Sequence, residues 1–325
     1  MPEGHSVHRI ARQFRLHFVG KTAEVTSPQG RFAAGAAQLS GHEMVQALAI
    51  GKQMFLEFDH GLWLRVHLGL YGAWDFAGDV TADATIVSAN GRIGQTNQRG
   101  TFAVSDDAEA SSASIGAPRR TRLRMSESET PEAPIATFPP EPIGAVRVRL
   151  LTDATVADLR GPTACEVLDA AEVNAAMAKL GPDPLVDSPK KGEQRFVDAV
   201  ARTSTPIGLL LMDQSVIAGI GNVYRAEMLF RARLDPHKPG RDVPEETVRA
   251  LYRDWSKLLK TGVKLGQMMT MDGLTKKQYT AALASRDDRH WVYHRTGEPC
   301  RVCGTPIVME MAAGRKLYYC PIDQV

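Results

Sequence analysis

Residues 210–227, LLMDQSVIAGIGNVYRAE, contain the turn on which the reading of the fold rests. "TPIGLLLMDQ" before it and "VYRAEMLFRARL" after it carry apolar residues at helical spacing, and "IAGIGN" interrupts them. The glycine turn at 219–221 lets backbone N–H groups approach a phosphate closely, and the helix that follows offers its positive N-terminus to the same place. Asn222 adds a neutral donor. A turn of this kind is also an ordinary helix–helix connection, so its meaning depends on what surrounds it.

Working outward, "EQRFVDAVART" reads as a helix before this stretch. Residues 244–260 read as a longer one, with Val248, Leu251, Tyr252, Trp255, Leu258 and Leu259 on one face and Pro244 where a helix tolerates it best. The other end of the chain differs. Val7, Ile10, Phe14 and Phe18 predict one amphipathic helix over 4–18. Then "MVQALAI", "QMFLEF" and "LWLRVHL" alternate at period two, with "DHG" as a hairpin turn between the last two. These are expected to be antiparallel strands of a sandwich or flattened barrel. From Gly78 to about Gly144 the composition shifts to Ala, Ser, Thr, Glu, Gly and Pro, and most of the segment reads as a loose insertion. Within it Arg119, Arg120, Arg122 and Arg124 are either a solvated basic run or a brush against phosphates. "AVRVRLLTD" restores a strand, expected to pair with the one that the insertion interrupts.

The fold class is therefore α+β multidomain: a β-sandwich N-terminal domain over 1–160 with an insertion at about 78–144, a helical domain over 161–297, and a C-terminal ribbon hairpin over 298–325. At 325 residues there is chain enough for two cores. A hydrophobic fraction of 43%, a charged fraction of 23% and a net charge of +2 are ordinary, and they announce no polyanionic partner. No apolar run is long enough to span a membrane, and no signal-peptide pattern opens the sequence. Four cysteines, three of them clustered, suit a reducing compartment and a metal better than disulfides. A cytoplasmic location is expected.

Several residues can carry chemistry. With Met1 removed, Pro2 presents a secondary amine that can attack an aldehyde or a sugar C1′ and give an iminium. Glu3 can move the associated proton. Both also fit a start that merely permits methionine removal. Lys52, at a turn, is a solvated charge, a proton donor or a phosphate anchor. "HLGLYGAW" sets Leu70 and Tyr71 on a glycine-bounded tip, where an apolar side chain can wedge into a base stack; an ordinary turn has the same pattern. The tail reads C-x2-C, 16 residues, then C-x2-D, so Cys300, Cys303 and Cys320 fit a zinc ribbon with Asp323 where a fourth thiolate belongs. Either the zinc has an oxygen ligand or the site is a remnant. His290 and His294 are candidate substitutes, or else surface residues or phosphate contacts. "PIVMEM" and "RKLYYC" would be the ribbon strands, turning at Ala313-Gly314, with Arg315 at the tip able to reach a phosphate.

Taken in order, "MPEGH", the "GK" before a strand, "HLGLYG", "LGPDPL", "LLMDQSVIAGIGNVYRAE" and the terminal ribbon resemble the formamidopyrimidine-DNA glycosylase / endonuclease VIII family over about 1–76 and 146–325. The resemblance implies a helix–two-turn–helix DNA-binding domain, one structural Zn2+ and a monomer working in the nucleoid on double-stranded damaged DNA. It implies a bifunctional glycosylase and apurinic/apyrimidinic lyase. Pro2 would be the Schiff-base nucleophile, Glu3 the proton donor to sugar and base, Lys52 the proton donor for β-elimination, and Arg315 the residue for δ-elimination and phosphate grip. Lys179 and Asn222 would hold the backbone, and Leu70 with Tyr71 would fill the space left by the flipped base. "PEG" and "LYG" resemble the endonuclease VIII branch, which takes oxidised pyrimidines. His5 stands where a proline is usual, Ser6 where an acidic residue is common, and Gly69 where that branch has a polar wedge residue. Oxidised-purine specificity, a non-catalytic DNA-binding protein and a zinc-ribbon interaction module are the alternatives.

Overall fold

The computed structural model describes residues 2–80, 113–116, 138–285 and 288–325. Two compact units emerge, one of residues 1–177 with 265–267 and one of 178–264 with 268–325.

In the first unit the expected N-terminal helix forms as α1 (Gly4–His17), and a short α2 (Ala33–Leu39) follows. Val7, Ile10, Phe14 and Phe18 are all buried. The Phe14 ring lies edge-on to Trp74 at 4.8 Å and to Phe76 at 5.2 Å between centroids, which fixes the helix against the sheet. The strands join in the order β6 (Ala113–Gly116), β5 (Ala73–Gly78), β8 (Thr155–Arg160), β7 (Val146–Leu151), β1 (Lys21–Thr26), β2 (His42–Ile50), β3 (Gln53–Phe58), β4 (Trp63–His67) and β9 (Ala164–Leu168). Strand β1 (Lys21–Thr26) is the corner of this arrangement. Its residues Lys21–Ala23 pair with β2 (His42–Ile50), and its residues Glu24–Thr26 pair with β7 (Val146–Leu151). One strand thus serves two ladders. Met44, Leu56 and Leu64 from one ladder share a single core with Phe76, Leu150 and Leu159 from the other. The expected hairpin forms between β3 (Gln53–Phe58) and β4 (Trp63–His67), with Gly61 N donating to Phe58 O at 2.9 Å.

The expected strand pairing needs correction. The strand at 146–151 does not pair with β5 (Ala73–Gly78), the strand that precedes the insertion. A tight turn at Thr152–Thr155 folds β8 (Thr155–Arg160) back beside β7, and β8 takes the place next to β5. The 78–144 stretch also contains an element: β6 (Ala113–Gly116) pairs with β5 from Ala73↔Gly116 to Phe76↔Ala113. The four arginines at 119–124 lie outside the described residues. β9 (Ala164–Leu168) and α3 (Ala170–Ala178) were not read from sequence; Val173 of α3 packs on Phe55 and Trp63.

In the second unit, α4 (Pro189–Ala201), α5 (Ile207–Leu210), α6 (Asn222–Arg231) and α7 (Glu245–Leu265) surround a core of Phe196, Leu229, Leu251, Tyr252 and Trp255. The helix expected over "TPIGLLLMDQ" is only four residues long, because the Asp213 carboxylate accepts from Ser215 N at 2.8 Å and draws the chain into a turn. The unread α8 (Lys276–Ala284) opens on a capping box between Thr275 and Gln278. The ribbon hairpin, β10 (Val308–Ala312) and β11 (Arg315–Tyr319), turns where expected, at Ala313-Gly314.

Phe14→Ala empties the aromatic contact that seats α1 and is expected to cost about 3–5 kcal/mol. Urea denaturation followed by tryptophan fluorescence checks this; a loss below about 1 kcal/mol contradicts the assignment.

Candidate active site, nucleic-acid interface and metal centre

In the first unit Pro2 is buried and Glu3 is fully buried in extended conformation at the N-cap of α1. The Glu3 carbonyl accepts from Ser6 N at 2.9 Å, so the first turn of the helix holds the backbone beside Pro2. No acidic residue occupies that turn. His5 is fully buried with its Nε2 3.3 Å from Ser6 Oγ. Its pKa is pushed down to about 3, first by burial and then by the charges of Arg9 and the chain terminus, so it stays neutral at ordinary pH.

Lys52 lies half-buried in the two-residue turn between Ile50 and Gln53, which pair as the last rung of β2 and β3. Gln53 is in turn opposite His67. The His67 imidazole is driven below its usual range by burial and, second, by the Lys52 charge, which places those two groups close together. Sequence reading passed over His67, and its only signal was its place in "HLGLYG". Leu70 and Tyr71 are 39% and 42% exposed on the turn between β4 and β5.

In the second unit Gln214 binds the glycine turn together. Its Nε2 donates to Met212 O at 3.0 Å and Ile220 O at 3.1 Å, and its Oε1 accepts from Gly219 N at 3.0 Å. Asn222 is the first residue of α6. Buried Arg225 donates from Nη2 to the Asn222 side-chain oxygen and to Lys316 O at 3.0 Å, linking the start of α6 to the ribbon. Fully buried Glu227 accepts from Trp291 N at 2.7 Å, Val292 N at 2.9 Å, Tyr293 N at 2.8 Å and the Thr270 hydroxyl. Burial pushes its carboxyl pKa up, and these donors pull against that. Neither Arg225 nor Glu227 stood out in sequence, because partners 91 and 64–66 residues away carry no local pattern. Lys179 is exposed just past α3, and Arg315 is exposed at the hairpin tip.

Cys300, Cys303, Cys320 and Asp323 converge, with their ligand atoms all within 4.8 Å of one another. Cys303 Sγ lies 3.5 Å from Cys320 Sγ, and Asp323 Oδ2 lies 3.0 Å from Cys300 Sγ and 3.4 Å from Cys320 Sγ. Val302 N and Asp323 N point at the Cys300 and Cys320 sulfurs at 3.4 Å, an arrangement that favours thiolates. Without metal, burial and the Asp323 hydrogen bond push the Cys300 thiol up to about 12, and the thiols of Cys300 and Cys303 hold the Asp323 carboxyl below its usual range. Three sulfurs and one oxygen at these separations fit a tetrahedral zinc ion. The two histidines are not part of this cluster. His290 is buried rather than on the surface, with Nδ1 3.2 Å from Thr270 Oγ1, and His294 stacks on Tyr318 at 5.5 Å.

Asp323→Cys is expected to raise zinc affinity on the order of tenfold, and Asp323→Ala to lower it, in competition with a chromophoric chelator. Equal affinity in all three proteins contradicts a carboxylate ligand. His5 must gain a proton on unfolding below pH 6.5, so the unfolded state binds more protons and stability falls as pH drops from 6.5 towards 3. At pH 5 this costs roughly 2 kcal/mol. His5→Gln is expected to flatten that acid limb in urea titrations at pH 7 and pH 5; parallel limbs contradict a buried neutral imidazole.

Three family models match the chain: the formamidopyrimidine-DNA glycosylase N-terminal domain over 1–125, the formamidopyrimidine-DNA glycosylase H2TH domain over 180–273, and the zinc finger found in FPG and IleRS over 297–324. The first runs into the 78–144 stretch, which the motif resemblance leaves without a counterpart. A protein named Endonuclease 8 1 from Mycobacterium tuberculosis is 36% identical over 327 residues, covering all of both chains. A formamidopyrimidine-DNA glycosylase of Thermus thermophilus is 38% identical over 148 residues, 46% of this chain and 54% of that one. Among solved structures, the Fpg protein of Thermus thermophilus superposes with a TM-score of 0.64 at 23% identity over 99% of this chain and 98% of that one. Lactococcus lactis Fpg in complex with abasic-site DNA superposes with a TM-score of 0.66 at 18% identity over 99% of both. At these identities the superpositions speak for the fold. Together with the full-length relative, they establish that the chain belongs to the formamidopyrimidine-DNA glycosylase / endonuclease VIII family of DNA-repair glycosylases.

Proposed function

We propose that this glycosylase excises oxidised pyrimidines from duplex DNA and then cuts the strand as an apurinic/apyrimidinic lyase. The observation that carries the reading is the buried Glu3 carboxyl next to Pro2 at the start of α1. The helix N-terminus and a first turn without acidic residues disfavour a protonated amine there, which leaves Pro2 nucleophilic once Met1 is removed. Its nitrogen bonds to C1′ as the bond from C1′ to the base breaks; the amine then loses its proton, and Glu3 protonates the ring oxygen O4′ as the C1′–O4′ bond opens to leave the iminium. The iminium draws electrons when C2′ loses a proton and the C3′–O bond breaks. Lys52 gives its proton to the departing C3′ oxygen in this β-elimination, and Arg315, gripping a phosphate, assists the δ-elimination in which C4′ loses a proton and the C5′–O bond breaks.

In this reading the 1–160 part performs the chemistry, with Leu70 and Tyr71 filling the space of the flipped nucleotide. The 161–297 part holds the DNA backbone through Lys179 and Asn222, and the 298–325 ribbon, shaped by zinc at Cys300, Cys303, Cys320 and Asp323, presents Arg315. Zinc here supplies structure only. The protein would act as a monomer on nucleoid DNA; no helix among the described residues is long and apolar enough to cross a membrane. The pyrimidine preference rests on the full-length relative named Endonuclease 8 1 and on the "LYG" tip.

Borohydride trapping on duplexes carrying an oxidised pyrimidine, 8-oxoguanine or an abasic site tests this. Wild type should be trapped and Pro2→Ala should not, with the oxidised pyrimidine trapped best of the two bases. Best trapping on 8-oxoguanine would favour the purine branch. No adduct from protein with a free Pro2 terminus and tight DNA binding would leave a non-catalytic binder. Grip on about 4–6 phosphates predicts that binding weakens by about 0.9 log unit per contact per decade of salt; a flat salt response would contradict backbone grip.

A further inference from the structure

We infer that the loop Gly161-Pro162-Thr163, between β8 and β9, braces the Leu70–Tyr71 turn and makes Thr163 and Gly69 positioning residues for base eversion. This rests on the reading that Leu70 and Tyr71 are the wedge.

The turn leaves β4 at His67 and returns to β5 at Ala73. Thr163 N donates to His67 O at 2.8 Å, which ties the loop to the base of the turn. Gly69 has φ +63, and a Cβ built on it would lie 1.7 Å from Thr163 Oγ1 and 3.0 Å from Thr163 Cβ. On the loop side, Gly161 has φ +58, and its Cβ would lie 3.2 Å from the carbonyl oxygen of Tyr71. The backbone at Gly69 therefore packs on the Thr163 side chain, and the backbone at Gly161 packs on the Tyr71 carbonyl; a side chain at 69 would collide with Thr163, and one at 161 would crowd Tyr71. Gly72 N donates to Leu68 O at 2.9 Å and closes the turn from within.

The consequence is energetic. A wedge fills the stack only if its tip holds its shape while the helix resists opening. A turn tip with two large exposed apolar side chains has no core of its own to hold it, and the 161–163 loop supplies that support. The bracing removes conformational freedom before DNA arrives, so less is lost when Leu70 and Tyr71 insert. It also accounts for Gly69 in place of a polar wedge residue: a side chain there would displace Thr163 and loosen the tip.

The test compares excision of one oxidised pyrimidine from duplex and from single-stranded oligonucleotide, since the single strand needs no wedge. Gly69→Ala is expected to lower duplex excision about tenfold or more while changing single-strand excision less than about twofold. Adding Thr163→Ala, which removes the overlapping hydroxyl, is expected to restore part of the duplex activity. Equal losses on both substrates, or none on either, overturn the brace. Amide hydrogen exchange decides the matter independently of activity. Thr163 and Gly72 N–H should exchange slowly in wild type and faster in Gly69→Ala. Rapid exchange of both in wild type overturns the brace even if no oligonucleotide is cleaved, whereas slow exchange in an inactive wild type keeps the brace and removes the glycosylase reading.

Discussion

The N-terminal unit depends on how α1 is seated. A chain terminus is normally its most mobile part, yet the proposed chemistry needs Pro2 and Glu3 held to within a fraction of an ångström. The molecule meets this by placing Phe14, three turns along the same helix, against Trp74 and Phe76. The helix is stiff over that length, so apolar packing at one end fixes the polar residues at the other. Nearly the whole first turn is buried as a result, including Glu3, His5 and Ser6. His5 stays neutral for the same reason: water that would solvate an imidazolium is excluded, and the nearby charges are positive.

The second unit solves a different problem. Its proposed backbone contacts sit on short segments, exposed at Lys179 and Arg315 and half-buried at Asn222, that need support from behind. Buried and half-buried polar side chains supply that support. Gln214 closes the glycine turn, Arg225 spans from Asn222 to the ribbon strand, and Glu227 gathers three successive backbone N–H groups at 291–293. Arg225 and Glu227 are costly to bury, and both are tolerated because they are hydrogen-bonded. The zinc ligands belong to the same scheme. Gln324 accepts from Cys320 N and donates to Leu234 O, so the metal centre and the helical core share a link that is independent of the ion.

The departures from the family pattern separate into those with a visible physical reason and one without. Gly69 is explained by the contact with Thr163, and Asp323 by a carboxylate oxygen that reaches the same place as a fourth sulfur. Histidine in place of proline at position 5 lies in the first turn of α1 and brings a buried imidazole. Nothing in the structure explains Ser6 in place of an acidic residue.

Sequence alone determined what depends on local period and spacing. The apolar repeat of 4–18 and 244–260, the alternation of 53–58 and 63–67, and the C-x2-C spacing each reflect a regularity that the backbone imposes within a few residues, and all appear in the structure. The ordered series of motifs was enough to name the family. Tertiary structure alone decided which strand lies beside which, because pairing across 70 or more residues is set by the whole sheet: β8, not β7, took the place next to β5. It also decided the contact between Gly69 and Thr163, the place of His67 beside Lys52, and the hydrogen-bond partners of Arg225 and Glu227. A single buried polar residue or glycine has no period, and its meaning comes only from the distant groups that folding brings against it.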